Sequence, residues 1–178
     1  MQLTAKQYGA WMRAEGILWP APRIDKADLT QPGVTVHRIG QRQVGNALLL
    51  IRRGWGTVYV APKFGDYQGA FDEVMPTSRL GTQVDHLYPK SRALPHEMVA
   101  LGRIARLSNI SINNRDGAPD LSNKVLEAWR RNPHQFTSTL TDMERGWAVV
   151  ACYLRPRAEL RGFAPQPLTH AEIDAGFA

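Results

Sequence analysis

The sequence predicts a single α+β domain in which a small antiparallel sheet lies between an N-terminal helix and a C-terminal pair of helices. The first observation is a set of three short β-branched or aromatic runs in the first third of the chain. The second is apolar spacing of helical period towards both ends. The third is composition, since 178 residues with 43% hydrophobic and 21% charged side chains can bury a core.

The N-terminal segment predicts a helix over residues 3–16. Thr4 can cap its start and Gly16 can end it. Its apolar face carries Tyr8, Trp11 and Met12. Residues 17–33 contain three prolines and are therefore expected to be mostly irregular.

The sheet is predicted from the runs "VTVHRI" (34–39), "NALLLIRR" (46–53) and "TVYVAP" (57–62), which Gly-containing turns separate. We interpret them as antiparallel strands. The Gly-rich, polar stretch 63–81 is expected to be a connection that leads into a further strand ending at Asp85 and His86.

The second half of the chain is predicted to combine helices with one strand. Residues 94–105 are expected to form a short helix or an ordered loop, and 106–113 alternate as in a strand. Two amphipathic helices follow, the second over 139–155. The tail contains prolines and a short helix opened by Thr169.

The formal charge of +6 and the pI near 9.8 favour a polyanionic partner such as nucleic acid, or an acidic protein. A basic surface without such a partner is the alternative. The one cysteine, Cys152, excludes an intrachain disulfide, and its apolar neighbours predict a buried thiol.

No window of the sequence approaches 18 consecutive apolar residues, so no membrane span is predicted. The N-terminal residues lack the uninterrupted apolar run of a signal peptide. We therefore expect a protein made in the cytoplasm without a cleavable signal. Secretion into a target cell by a specialised system remains open.

The stretch "QVDHLYPKSRA" (83–93) contains the main candidate site residues. It places Asp85 directly before His86 and follows them with basic residues. A histidine with a pKa of about 6.5 can take a proton from water at neutral pH. A neighbouring carboxylate can hold a hard divalent ion. The alternative is a surface Asp–His pair that closes a strand, with Pro89 starting a turn.

Together with "ARLSNISIN", "NNRDGA" and "PDLSNKVLEAWRR", the stretch "VDHLYPKSRA" resembles the HNH, or ββα-metal (His-Me finger), nucleases. The resemblance implies a ββα-metal core in which a strand, a loop, a second strand and a helix build the site. The "NNRDGA" segment is similar to bacterial polymorphic-toxin effectors. The resulting organisation is one domain, 1–178, made of N-terminal helix and strands (1–80), core (83–131), and C-terminal helices and tail (132–178).

The resemblance implies roles for individual residues. His86 corresponds to the general base, Asp85 to the metal ligand beside it, and Asn109 to the asparagine that orients the loop and the base. Asn114 is the best match for the remaining ligand. No second histidine motif or cysteine knuckle accompanies the helix, so that ligand stays open between Asn114 and three competitors: Asp116, Asp120 and Asn123.

The basic residues Lys90, Arg92 and Arg115 are candidates to grip phosphates or to add positive charge at the transition state. A carboxylate and amide oxygen favour Mg²⁺ or Mn²⁺ as the divalent cofactor, with Zn²⁺ or Ni²⁺ as alternatives.

The leading hypothesis is a metal-dependent endonuclease that cuts DNA with low sequence specificity, as the effector domain of an interbacterial toxin with an acidic cognate immunity protein. A ribonuclease that pairs His86 with a second histidine such as His96 is the second hypothesis. The third is a non-catalytic basic domain that binds nucleic acid or protein. We expect His37, His134 and His170 to have no catalytic role.

Overall fold

A computed structural model describes residues 22–76, 81–105 and 153–178. This part of the chain is α+β and is built around an antiparallel sheet. The strands are β1 (Arg23–Ile24), β2 (Val34–Arg38), β3 (Ala47–Arg52), β4 (Trp55–Val60), β5 (Thr82–His86), β6 (Met98–Ala105) and β7 (Arg155–Pro156). The helices are α1 (Lys26–Leu29), α2 (Tyr67–Val74) and α3 (His170–Gly176), with a 3₁₀ turn at Arg157–Glu159.

The sheet runs in the order β1-β6-β4-β3-β2. In addition, β5 pairs with β6, and β7 pairs with β4. The three predicted strands are confirmed as β2, β3 and β4, which form a meander of antiparallel pairs. β3 is buried along its whole length, which explains why "ALLLI" is apolar at every position rather than alternating.

Strand β6 joins two parts of the sheet. Its first residues pair with β1 on one side and β4 on the other, so that Val99 faces both Arg23 and Val60. Its remaining residues pair with β5, with Leu101 opposite His86. The prediction of a short helix or loop over 94–105 is therefore wrong for Met98–Ala105, and only the residues before Met98 form a loop.

Helix α2 packs against one face of the sheet and closes the main core. Ala70, Phe71 and Val74 are buried there with apolar residues of β3, β4, β5 and β6. The prediction that 63–81 is only a polar connection is therefore wrong for Tyr67–Val74. Arg42 anchors this helix from the β2–β3 connection, because it pairs with Asp66 (Nη2–Oδ2 2.7 Å) before the helix and with Glu73 near its end.

The C-terminal tail covers the exposed edge of β2. The backbone N–H groups of Leu168 and Ala164 donate to the carbonyls of Val36 (2.7 Å) and Arg38 (3.3 Å). Edge strands with unpaired backbone groups invite pairing with other chains, and this tail blocks that edge. Helix α3 then begins after Thr169, the predicted cap, which forms a capping box with Glu172.

The predicted helix 139–155 does not extend to its expected end, because Arg155 already belongs to β7 and Tyr153 lies in a turn. The rest of that prediction, the helix 3–16, the strand 106–113 and the helix after it lie outside the described residues. In 17–33, the described residues are irregular apart from β1 and the four-residue α1. None of the described helices is long and apolar enough to cross a membrane.

Gly162 lies where the tail meets the end of α2. Its φ is +68°, and an added Cβ would overlap the backbone oxygen of Glu73. We expect Gly162→Ala to lower the free energy of unfolding by about 2–3 kcal/mol, measured by urea denaturation, because steric overlap adds to left-handed strain. Gly54→Ala is the matched control, since Gly54 has φ +79° and nothing within 4 Å. Equal losses in the two variants would show that the contact with Glu73 is unimportant.

Candidate functional site

The hairpin of β5 and β6 places Asp85 and His86 at the end of β5, as predicted. Asp85 lies opposite Gly102 and His86 opposite Leu101. The pairing continues one residue further, since the N–H of Leu87 donates to the carbonyl of Ala100 (2.8 Å). The pair is thus fixed by a backbone ladder and not by a mobile loop.

The two side chains point to opposite faces of the hairpin, because successive residues of a strand alternate. His86 shares its face with Leu101, towards α2, where the ring of Tyr67 lies 4.6 Å from the imidazole between centroids. On the other face, the lack of a side chain at Gly102 lets Tyr153 and Leu87 pack closely against the backbone. A Cβ there would lie 2.7 Å from the Tyr153 ring and 2.8 Å from Leu87.

The carboxylate of Asp85 is held by backbone. Its Oδ1 accepts the N–H of His86 at 2.7 Å and lies 3.8 Å from the imidazole Nδ1. The negative charge near Nδ1 favours the tautomer that carries its proton there, which leaves Nε2 as the proton acceptor.

The imidazole of His86 is neutral at physiological pH. Burial, and secondarily the positive charge of Lys90, lowers its pKa to about 4. The residue is 7% exposed, and no described residue hydrogen-bonds to its buried Nε2 atom. A buried polar atom without a partner is costly, at about 1–3 kcal/mol, and such atoms often mark functional positions.

The other described histidines differ from His86. His37 is also buried, but both of its ring nitrogens have partners, the carbonyl of Ala164 (3.0 Å) and the hydroxyl of Thr35 (3.2 Å). This arrangement is that of a structural histidine. His170 is exposed at the start of α3, and His96 is exposed in a loop. His134 lies outside the described residues.

The loop between β5 and β6 carries the predicted phosphate-binding residues Lys90 and Arg92, and both are exposed. Glu97 shapes this loop, because its carboxylate accepts the N–H of Leu94 at 2.9 Å and pairs with Arg23 at 3.0 Å. The Arg23 guanidinium also lies over the ring of Tyr88, 5.0 Å from its centroid. The loop is thus braced from β1.

The described residues supply part of a donor set for a divalent ion. The carboxylate of Asp85 suits a hard cation, and the imidazole beside it is a second metal-compatible group. Within the described ranges, however, no three His, Cys, Asp or Glu side chains cluster as metal ligands would. Asn114, Asn109 and Arg115, with the competitors Asp116, Asp120 and Asn123, lie outside the described residues.

Sequence reasoning missed Tyr67, Arg23 and Glu97. The spacing of Tyr67, Ala70, Phe71 and Val74 is that of a helix face, but the glycines at 65 and 69 obscured it. Arg23 and Glu97 are 74 positions apart, and neither belongs to a motif. Their contact follows from the pairing of β1 with β6, which local patterns do not reveal.

Comparison with known proteins does not add to these observations. No protein-family model, no curated protein and no solved structure matches the chain. The function is therefore argued from the residues, from the geometry of the β5–β6 hairpin and from the motif resemblance.

The burial of neutral His86 predicts a pH-dependent stability. Its folded pKa, about 4, lies below its unfolded value, so the unfolded chain binds an extra proton between pH 6.5 and 4. We expect the free energy of unfolding to fall by at most about 3 kcal/mol as pH drops through this window. His86→Gln should reduce that slope, as measured by denaturant titrations at pH 4.5 and 7. His37, whose pKa is also lowered by burial, should leave a residual slope in the variant.

A slope identical in the variant and the unsubstituted protein would contradict the assignment of a buried neutral imidazole to His86.

Proposed function

We propose that this chain is a metal-dependent endonuclease with a ββα-metal core that hydrolyses DNA phosphodiester bonds with low sequence specificity. One observation carries the proposal: His86 is buried, neutral and without a partner at Nε2 among the described residues, directly beside Asp85. A strand, a loop and a second strand follow the order of that core. The helix that would complete it lies outside the described residues.

His86 acts in this proposal as the general base. A neutral imidazole with a free acceptor nitrogen can take the proton of an attacking water. The lowered pKa weakens its basicity but keeps it unprotonated over the whole neutral and mildly acidic range. The negative charge of the Asp85 carboxylate, whose Oδ1 lies 3.8 Å from Nδ1, favours the tautomer with the proton on that nitrogen.

Asp85 also provides the carboxylate that would hold the divalent ion, with Asn114 as the proposed second ligand. A divalent ion in such a site neutralises charge on the scissile phosphate and stabilises the leaving oxygen. Mg²⁺ or Mn²⁺ is the expected metal, and Asn109 is the proposed residue that orients the base.

The basic loop supports a nucleic-acid substrate. Lys90 is close enough to His86 to lower the pKa of its imidazole, so a phosphate drawn to this ammonium would lie near the base. Arg92 on the same loop and Arg115 are proposed to hold flanking phosphates. Sequence-independent contacts of this kind fit an enzyme with low specificity.

The proposed biological role is that of a toxin effector domain that an acidic immunity protein neutralises. The similarity of "NNRDGA" to toxin effectors and the net charge of +6 support it. Electrostatic attraction between a basic enzyme and an acidic inhibitor would speed their association.

Purified protein with Mg²⁺ or Mn²⁺ is expected to nick supercoiled plasmid, and EDTA should abolish the nicking. His86→Gln should lower the cleavage rate by about 10²-fold or more, because it removes the base. His96→Ala is the matched control and should cut normally, since His96 is exposed and the cleft it lines does not include His86. Gel analysis quantifies nicked and linear DNA with each metal, with EDTA and with each of the two variants.

The same reactions run with a structured RNA separate the alternatives. RNA cleavage that persists in EDTA and is lost in His96→Ala would replace this proposal with the ribonuclease. Intact DNA and RNA across Mg²⁺, Mn²⁺, Zn²⁺ and Ni²⁺ would favour the non-catalytic binding domain.

The basic loop predicts a salt signature of DNA binding. Lys90→Gln and Arg92→Gln should each make the slope of log K against log salt less steep by about 0.9, because each removes one phosphate contact. Arg53→Gln is the control with the same change in net charge, since Arg53 is exposed in the turn between β3 and β4, at the opposite end of β4 from its pairing with β6. Fluorescence anisotropy with a duplex measures the slopes. A similar change in all three variants would remove the loop from the DNA interface.

A further inference from the structure

Helix α2 presents an aromatic ring to His86 that nothing in the motif resemblance assigns. The rings of Tyr67 and His86 have centroids 4.6 Å apart, and their planes meet at 51°. Contacts between aromatic rings favour particular relative orientations of the two rings. The tyrosine therefore restricts the rotation of an imidazole whose Nδ1 lies 3.8 Å from the Asp85 carboxylate.

Tyr67 itself is held firmly. It is the first residue of α2, and the same helix buries Phe71 and Val74 in the main core. The preceding residue is Asp66, and its carboxylate accepts hydrogen bonds from Nε (3.0 Å) and Nη2 (2.7 Å) of Arg42. The ring is thus partly buried against the core, and the residue before it is anchored by the ion pair with Arg42.

We propose that Tyr67 is a positioning residue, which holds the imidazole of His86 in the orientation required to accept a proton at Nε2. The proposal rests on the endonuclease function above and names a part of its machinery that lies on a different element from the motif. A small misplacement of a catalytic group can cost about 10²-fold in rate. The expected consequence of losing the ring is a slower chemical step with unchanged DNA binding.

The first measurement needs no substrate. Proton NMR of the unsubstituted protein should show nuclear Overhauser contacts between the ring protons of Tyr67 and those of His86, with the His86 signals identified by their loss in His86→Gln. Tyr67→Leu should move the His86 ring signals, because the ring current disappears, whereas Tyr67→Phe should leave them nearly in place. Absence of the contacts in the unsubstituted protein overturns the proposal.

The second measurement separates kcat from KM in plasmid cleavage. Tyr67→Leu should lower kcat by about 10-fold or more with KM within about twofold, and Tyr67→Phe should restore kcat. Phe64→Leu is the matched control, because Phe64 is a half-buried aromatic packed against the same core cluster. Should Tyr67→Leu fail to fold, Tyr67→Met replaces it.

The outcomes distinguish the inference from the proposed function. Cleavage by the unsubstituted protein with an unchanged kcat in Tyr67→Leu overturns the role of Tyr67 and leaves the nuclease standing. Equal losses of kcat in Phe64→Leu and Tyr67→Leu reduce Tyr67 to a packing residue and also overturn its role. No cleavage by the unsubstituted protein, with the ring contact present by NMR, overturns the proposed function and with it any catalytic role for Tyr67.

Discussion

The double pairing of β6 is the constraint on which the described structure depends. One part of this strand is a central strand of the main sheet, between β1 and β4, and the other part is one arm of the β5–β6 hairpin. Because β6 belongs to both the main sheet and the hairpin, the buried core also holds the Asp85–His86 pair in place. The buried residues Val99, Ala100 and Leu101 are the link between the two.

The two buried histidines of the described residues differ in how their ring nitrogens are satisfied. The structural histidine, His37, satisfies both ring nitrogens and fixes the tail to β2. His86 is buried to a similar degree but leaves Nε2 without a partner among the described residues. Burial alone therefore does not separate the two residues, whereas the hydrogen bonds of their ring nitrogens do.

The sequence predicted the features that local patterns encode. These are the meander of β2, β3 and β4, the end of β5 at Asp85–His86, and the helix capped by Thr169. It did not predict β6, because Met98 to Gly102 are buried, do not alternate in polarity and include good helix formers. The segment is a strand because it pairs with β1, β4 and β5 in the folded structure. Of the candidate site, the motif gave Asp85, His86 and the basic loop, whereas Tyr67 and the Arg23–Glu97 brace depend on contacts between distant elements.

The C-terminal tail has a consequence for the order in which the chain can fold. Ala164 and His37 are 127 positions apart, so the outer edge of β2 stays unpaired on a growing chain until the tail emerges from the ribosome. The same tail closes the end of α2, where the N–H of Arg161 donates to the carbonyl of Val74 at 3.0 Å. Completion of the sheet and anchoring of the helix that faces His86 therefore come after synthesis of the strands β2 to β6. Until then the nascent sheet is open to wrong partners at this edge.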